Sequence, residues 1–557
     1  MTQRRSQSRR LLPLAYGIVP TLVVAFVLPS ALRPPPDTAT SGSAYSPDAP
    51  PNKNAQTIIK SQQQAGSQTA GQPGAIKPVG PSPTPTPSST PPSNLASRAG
   101  CFPGNPPRQI ESVYSVVCQP VFTGNNGGAT GQGVTATDIR LAVLWKEDSP
   151  NTGEINDQNS QVQSSAIVRT LNDMRKYFNQ HYEFYGRHLR FFGYHQQASE
   201  NEAQMRADAD DAVAQFHPLA DWNNSLAPLT DEFAKHGVLS FDSTGMNTPF
   251  RKQENPYSFT LAVPDDLSEP VAESLCKQFK GYPAASGTYG AGKTRTFGMI
   301  SVDDPSLSNR PSQLKALQSC GLQLKVDDVE PLNSPDGMTS AVRDMFTNGV
   351  STIIFNSDLL DIDYAMTAAD SLQYRPEWFS TGWGVNTTPL ITRAYPTDQA
   401  QHLMGINMGD ITRDHRLGEC FRAVRSVDAG FDADETTCNL WWQPYVEMAN
   451  AIQMAGPDLN ARTLAAGFRK IPYLQPDPKN WWHSSGGYIS RHPWSYLDSA
   501  DLWWWNATLT DPDGNPGTYV YSSCGHRYTP GGWPGRPAQM FTMSHAATGL
   551  TFANCRE

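Results

Sequence analysis

The run Asp138-Ile139-Arg140-Leu141-Ala142-Val143-Leu144-Trp145 decides the fold of this chain. It is a compact apolar stretch of strand length, and the polar residues Lys146 to Gly153 follow it as a loop. Beyond the loop, Ile167, Leu171, Met174 and Phe178 recur at helical spacing and predict an amphipathic helix. Leu189 to Tyr194 reads as a second strand and Glu202 to Phe216 as a second helix. A turn is expected at Asp221 to Ser225, then a helix to Lys235 stopped by Gly237, then a strand from Val238 to Phe241. The rhythm restarts after Pro264. Helices are expected at Glu269–Phe279, Pro311–Ser319, Met338–Asn348 and Asp361–Leu372, with strands at Thr296–Val302, Leu322–Val329, Thr352–Phe355 and Glu377–Ser380. Strands alternating with helices build parallel sheets covered on both faces. Two such runs, broken near residues 262–264, predict two α/β lobes.

Open α/β sheets bind ligands beyond the carboxyl ends of their strands. The informative loops are therefore Lys146–Gly153, Trp222–Ser225, Asp242–Thr244, Asp303–Ser306, Asn356–Asp358 and Thr381–Asn386. They mix polar, small and aromatic residues, as a small-ligand cleft requires. Candidate ligand-binding residues are Trp145, Asn223, Asn224, Ser225, Ser243, Thr244, Asp303, Asp358 and Trp383. For any one of them an ordinary solvated loop is the alternative.

At 557 residues the chain exceeds the length at which one hydrophobic core stops growing. The net charge is −9, and no long basic run lies outside the extreme N-terminus, which argues against nucleic acid as a partner. Gly287-Thr288-Tyr289-Gly290-Ala291-Gly292-Lys293-Thr294 matches a phosphate-binding loop letter for letter. That chemistry needs a strand before the loop and a helix after it. Here Gly281 to Ser286 is no buried strand and Arg295 onward reads as strand, so a glycine-rich surface loop is expected. No G-x-S-x-G or H-E-x-x-H motif occurs. The acidic pairs Asp303-Asp304 and Asp361/Asp363 fit turns and caps. The expectation is a binding protein and not an enzyme, with no cofactor and no metal.

The eight cysteines are Cys101, Cys118, Cys276, Cys320, Cys420, Cys438, Cys524 and Cys555, and none forms a C-x-x-C pair. That spacing argues against zinc and thioredoxin-like redox chemistry, and an even count in an exported chain suggests disulfides. Sequence leaves the connectivity open. Sequential pairing closes fairly short local loops and is the expected arrangement.

Arg4, Arg5, Arg9 and Arg10 precede an uncharged apolar run from Leu11 to about Leu28. It approaches the ~20 residues that cross a bilayer, with the arginines left on the cytoplasmic side. Residues 1–32 are thus expected to be an uncleaved signal anchor or a long signal peptide. Residues 33–100 are rich in Pro, Ser, Thr, Gly and Gln, a composition that stays disordered. At ~3.1 Å per residue such a linker would reach on the order of 200 Å. The globular part would then stand outside the cytoplasmic membrane, tethered to it or, after cleavage, secreted.

Four further segments carry a resemblance. Asn125-Asn126-Gly127-Gly128-Ala129-Thr130 with Gly133-Val134-Thr135 leads into the first strand, and Asn223-Asn224-Ser225 runs on to Gly237-Val238-Leu239. Thr296 to Asp304 and Trp442 to Gly456 complete the set. Over residues 133–475 the chain resembles the branched-chain amino-acid-binding receptors of ABC transporters, in their actinobacterial form. The resemblance implies a type I periplasmic-binding fold, in which two Rossmann-like lobes joined by a hinge close on a small solute. An ABC permease or another membrane partner is implied as well. It also implies a ligand-carboxylate site at Asn223 to Ser225 and at Ser243-Thr244. Hydroxyls and amides at a helix N-terminus favour an anion. Helix capping by Asn224 or Ser225 is the alternative.

One position departs from the family. Where amino-acid receptors place a carboxylate for the ligand ammonium, this chain reads Gly382-Trp383-Gly384. Trp383 could bind a cation only through its ring face, and Asp358 is the other source of charge. An amide, an aromatic acid or a peptide-like solute stays open beside an amino acid. The expected layout is a disulfide-bearing lead-in at 101–132, a first lobe at 133–262 and 388–475, and a second lobe at 263–387 and 476–557. The tail, with Trp503-Trp504-Trp505, should complete the second lobe in β-structure, its tryptophans packed in the core.

Overall fold

The computed structural model describes residues 100–145, 152–162, 165–197, 201–222, 226–284, 286–383, 389–411, 415–480, 482–511, 514–521 and 527–533. The membrane segment and linker expected before residue 100 lie outside the described residues. Among the described residues, no helix is long and apolar enough to cross a membrane.

The first sheet is built from β1 (Asp138–Trp145), β2 (Gly153–Ile155), β3 (His188–His195), β4 (Ala220–Trp222), β5 (Leu239–Thr244) and β6 (Ser258–Ala262). Its order is β2-β3-β1-β4-β5-β6, parallel throughout except for the antiparallel edge strand β2. The second sheet contains β7 (Phe297–Val302), β8 (Leu324–Glu330), β9 (Thr352–Asn356), β10 (Glu377–Ser380), β11 (Leu403–Asn407), β12 (Asp501–Thr510) and β13 (Pro516–Tyr521). Its order is β13-β12-β11-β10-β9-β7-β8, with only β12 and β13 antiparallel. In each sheet the strand order reverses beside the first strand, at β1/β4 and β7/β9. Doubly wound sheets open a crevice at such points.

The expected rhythm holds, with three corrections. Asp221 and Trp222, expected to open a turn running to Ser225, belong to the buried strand β4, because neighbours on both sides satisfy its backbone. The chain does not return to the first lobe at residue 388. Leu403–Asn407 is β11 and pairs with β10, where Gly405 is needed: a Cβ there would lie 2.4 Å from the Ser380 carbonyl oxygen. Nor does residue 476 begin the second lobe. Thr260 N donates to Trp494 O and Leu497 N to Leu261 O, so this stretch lies on the first lobe. The lobes are therefore joined by three segments, Ala262–Pro264, Met408–Asp410 and Asp498–Asp501.

In β12, Trp503 and Trp505 are buried with Tyr519 and Tyr521 on one face of the sheet. Trp504 packs on the other face, as the alternation of side chains in a strand demands. Disulfides Cys101–Cys118, Cys276–Cys320 and Cys420–Cys438 pair sequentially. Cys524 and Cys555 lie outside the described residues.

Candidate functional site

The carboxyl edges of the two sheets meet. Asn247, just after β5, donates from its side chain to Pro305 O (2.8 Å) and Ser308 O (2.9 Å), and its own N–H reaches Ser306 O at 2.7 Å. Its Oδ1 meanwhile caps the helix Thr248–Gln253 through Phe250 N. One asparagine thus pins the loop after β5 to the loop after β7, across the crevice that the strand order predicts.

On the second-lobe side the rim is satisfied from within. Asp304 Oδ1 accepts from the Ser306 and Leu307 amides and the Ser306 hydroxyl, which fixes the loop after β7. Asn309 donates to Pro264 O and Ser268 Oγ and accepts from Asn356, whose Oδ1 in turn accepts from the Thr381 hydroxyl. This chain of uncharged groups joins the ends of β9 and β10 to the first crossover. Buried polar groups are costly unless so paired.

On the first-lobe side the rim is aromatic. Trp222, the last residue of β4 and only 2% exposed, stacks on Tyr445 with centroids 4.0 Å apart. Trp441 meets it edge-on at 4.9 Å and is half-buried. Trp441 and Tyr445 are one turn apart on the helix Glu435–Ala455, which packs against β5 and, through Tyr445, meets Phe191 of β3 and Trp222 of β4. The Trp222 indole N–H and the Tyr445 hydroxyl are buried without a protein partner, and so is the Trp383 indole N–H on the facing lobe.

The expected site residues fall out unevenly. Trp145 closes β1, and Ser243 and Thr244 close β5, so their backbones lie at the carboxyl edge. Asn223, Asn224 and Ser225 lie outside the described residues, between β4 and the helix Ala227–Lys235. The N-cap position of that helix is Leu226. Asp303 is exposed after β7, and its amide pairs with Glu330 O. Asp358 is the N-cap of the helix Leu359–Ser371, its Oδ1 accepting from the Leu360 and Asp361 amides. Burial raises its carboxyl above the ordinary range against those two bonds. Trp383 is 5% exposed and follows Gly382, where a positive φ and the Ile406 carbonyl 2.8 Å from any Cβ require glycine. Trp441 and Tyr445 were not expected at the site, and Trp222 was expected only as the start of the loop Trp222–Ser225. Trp222 was within reach of the sequence, as the last apolar residue before the Asn223 turn.

The glycine-rich run Gly287–Thr294 sits at the opposite, amino edge of the second sheet. Gly287 N donates to His402 Nδ1, Tyr289 N donates to Arg375 O, and β7 follows in place of a helix.

No family model matches the chain, and no curated protein does. Among solved structures, a leucine-, isoleucine-, valine-, threonine- and alanine-binding protein from Brucella ovis in a closed conformation matches with a TM-score of 0.51. The two share 10% identity over 73% of this chain and 99% of that one. The fold is that of a type I periplasmic binding protein. An ABC transporter substrate-binding protein from Desulfitobacterium hafniense in complex with Leu matches at TM-score 0.47 and 12% identity, covering 69% of this chain and all of its own. A fatty acid ABC transporter substrate-binding protein from Thermomonospora curvata matches at 0.47 and 11%, covering 73% and 96%. In a type I periplasmic-binding frame, the Asn247 contact and the Trp222–Trp441 wall lie where the lobes face each other.

Proposed function

We propose that this protein captures a small polar solute, amino-acid-like, amide or peptide-like, between its two lobes, outside the cytoplasm, and presents it to an ABC permease. The observation that carries the reading is the meeting of two doubly wound carboxyl edges through Asn247, bridged by three crossover segments. The three disulfides support an oxidising compartment. The arginine-led apolar run and the Pro/Ser/Thr-rich stretch of the sequence support export and tethering. That long tether also favours a second reading, a surface sensor or scaffold that reuses the fold with a protein partner in place of a permease.

A thermal-shift screen of the oxidised protein against amino acids, amides, short peptides and aromatic acids tests the proposal. A solute at 100 times its dissociation constant should stabilise the fold by roughly 2.7 kcal/mol. The shift should vanish in Trp441→Ala with the unliganded melting temperature little changed. If no compound shifts a folded, disulfide-bonded protein, the sensor or scaffold reading replaces this one.

A further inference from the structure

The lead-in before β1 ends at the hinge. Its Cys101–Cys118 loop lies along the first lobe, where Gln109 donates to His181 O and Val113 N to Glu419 Oε1 at 3.2 Å. At its turn, the buried Tyr114 reaches the second crossover at Asp410 and, on the first lobe, Ser484. Its hydroxyl donates to the Asp410 carboxylate and lies 3.0 Å from Ser484 Oγ, and Ser484 N returns a bond of 3.0 Å to the same hydroxyl. Asp410 also accepts from Ser484 N at 2.7 Å, and its Oδ2 lies 3.1 Å from His483 Nδ1. The Tyr114 carbonyl is held by Asn450 of the helix Glu435–Ala455 at 2.8 Å.

The same crossover is gripped from the other lobe. Arg527, which is buried, directs one guanidinium nitrogen at the carbonyls of Asn407 (3.3 Å), Met408 (2.7 Å) and Gly409 (3.0 Å), and its Nε at Ser499 Oγ. In this crossover the Gly409–Asp410 peptide lies between the two grips, where a rotation of the lobes must be taken up. Hinges are a few residues of this kind, and what holds them sets the resting angle.

We propose that the disulfide-closed lead-in is a hinge brace, in which Tyr114 ties the second crossover to the first lobe and so fixes the resting angle between the lobes. The idea rests on the solute-capture reading only in assuming that the lobes move. Loss of one hydrogen bond to a carboxylate should change the ratio of lobe arrangements by roughly tenfold or more.

Spin labels at the exposed positions Ala214 and Thr347, one on each lobe, give the distance distribution in the unliganded protein. Tyr114→Phe, which keeps the ring, should broaden or shift it. Asp410→Asn should do so in the same direction, and Val121→Ala, an exposed site in the same lead-in, should not. A Tyr114→Phe protein with a cooperative melt and the wild-type distribution overturns the brace; should that variant fail to fold, Asp410→Asn decides by the same criterion. A protein that binds a solute in the thermal screen but shows no Tyr114→Phe effect keeps the capture reading and loses the brace. A broadened variant with no solute binding does the reverse.

Discussion

Among the described residues each lobe fully buries one arginine–carboxylate pair, and the two lie at opposite ends. In the first lobe Arg251 meets Asp242 at 2.7 Å in the carboxyl half of β5, under the cleft rim, with further bonds to Ser258 Oγ and Met246 O. In the second lobe Arg295 binds Glu377 through two nitrogens, at 2.6 and 2.9 Å, at the amino edge of β10. Glu377 there also accepts from Thr352 Oγ1 and Ser286 N. All four side chains are fully buried. Desolvation in such sites is compensated only by close geometry and further hydrogen bonds. The second lobe keeps its buried arginine away from the cleft, and its rim sets the neutral Asn309–Asn356–Thr381 chain beside the Asp304 and Asp358 carboxylates. The first lobe rests its rim on the charge. Perturbing the pairs should therefore separate stability from binding.

The largest effect is expected at the better-supported pair. Glu377→Ala strands the Arg295 charge and should cost about 3–5 kcal/mol in urea unfolding, with solute affinity of the remaining folded protein unchanged. Asp242→Ala leaves Arg251 its bonds to Ser258 and Met246 O and should fall at the lower end, about 3 kcal/mol. It should also weaken the solute-induced thermal shift. Equal effects of both variants on binding would remove the distinction between the lobes.

A third buried carboxyl sharpens the contrast because it has no cation at all. Glu447, on the helix Glu435–Ala455, is fully buried, and neither oxygen finds a protein partner. Burial raises its carboxyl well above the ordinary 4.5. The sign follows from linkage: the group's contribution is fully present below the ordinary value and is lost as pH rises towards the raised one. Glu447→Gln cannot ionise. Its stability relative to wild type should grow by up to about 1.4 kcal/mol per pH unit above pH 5, read from urea midpoints across pH 5–8. A difference that stays constant with pH would mean that Glu447 is charged in the folded protein.

How far the sequence reached follows the same physics. A long periodic segment such as Glu202–Phe216 was legible to the residue, because its apolar spacing specifies it, and the short strand Glu377–Ser380 because it is compactly apolar and follows a helix. The strands β4, β6 and β11 were not. Ala220-Asp221-Trp222 is too short to show a period, Ser258–Ala262 mixes serine and threonine into a buried strand, and Leu403–Asn407 carries a glycine at a close approach. Missing β11 displaced the lobe boundary. At the site, the carboxyl-edge loops were legible from strand order. The Trp222–Tyr445 wall was not, because its partners stand far apart in sequence and only the return of the chain brings them together.

The smallest expected effect falls on Asp358, where the two lobes differ in what a carboxylate is for. As the N-cap of Leu359–Ser371 it holds two backbone amides through one oxygen. Asparagine caps as well as aspartate, whereas alanine does not. Asp358→Asn should therefore leave stability within about 0.5 kcal/mol of wild type, and Asp358→Ala should cost about 1 kcal/mol. If the carboxylate only caps, solute binding follows the same pattern, intact in the first variant and at most slightly weakened in the second. If it also neutralises a ligand ammonium, Asp358→Asn abolishes binding of amino acids at unchanged stability and spares neutral amides and acids. Thermal shifts of both variants with an amino acid and with its decarboxylated and deaminated analogues separate these outcomes. The second-lobe rim would then hold its solute through a charge, although every described bond of Asp358 is structural.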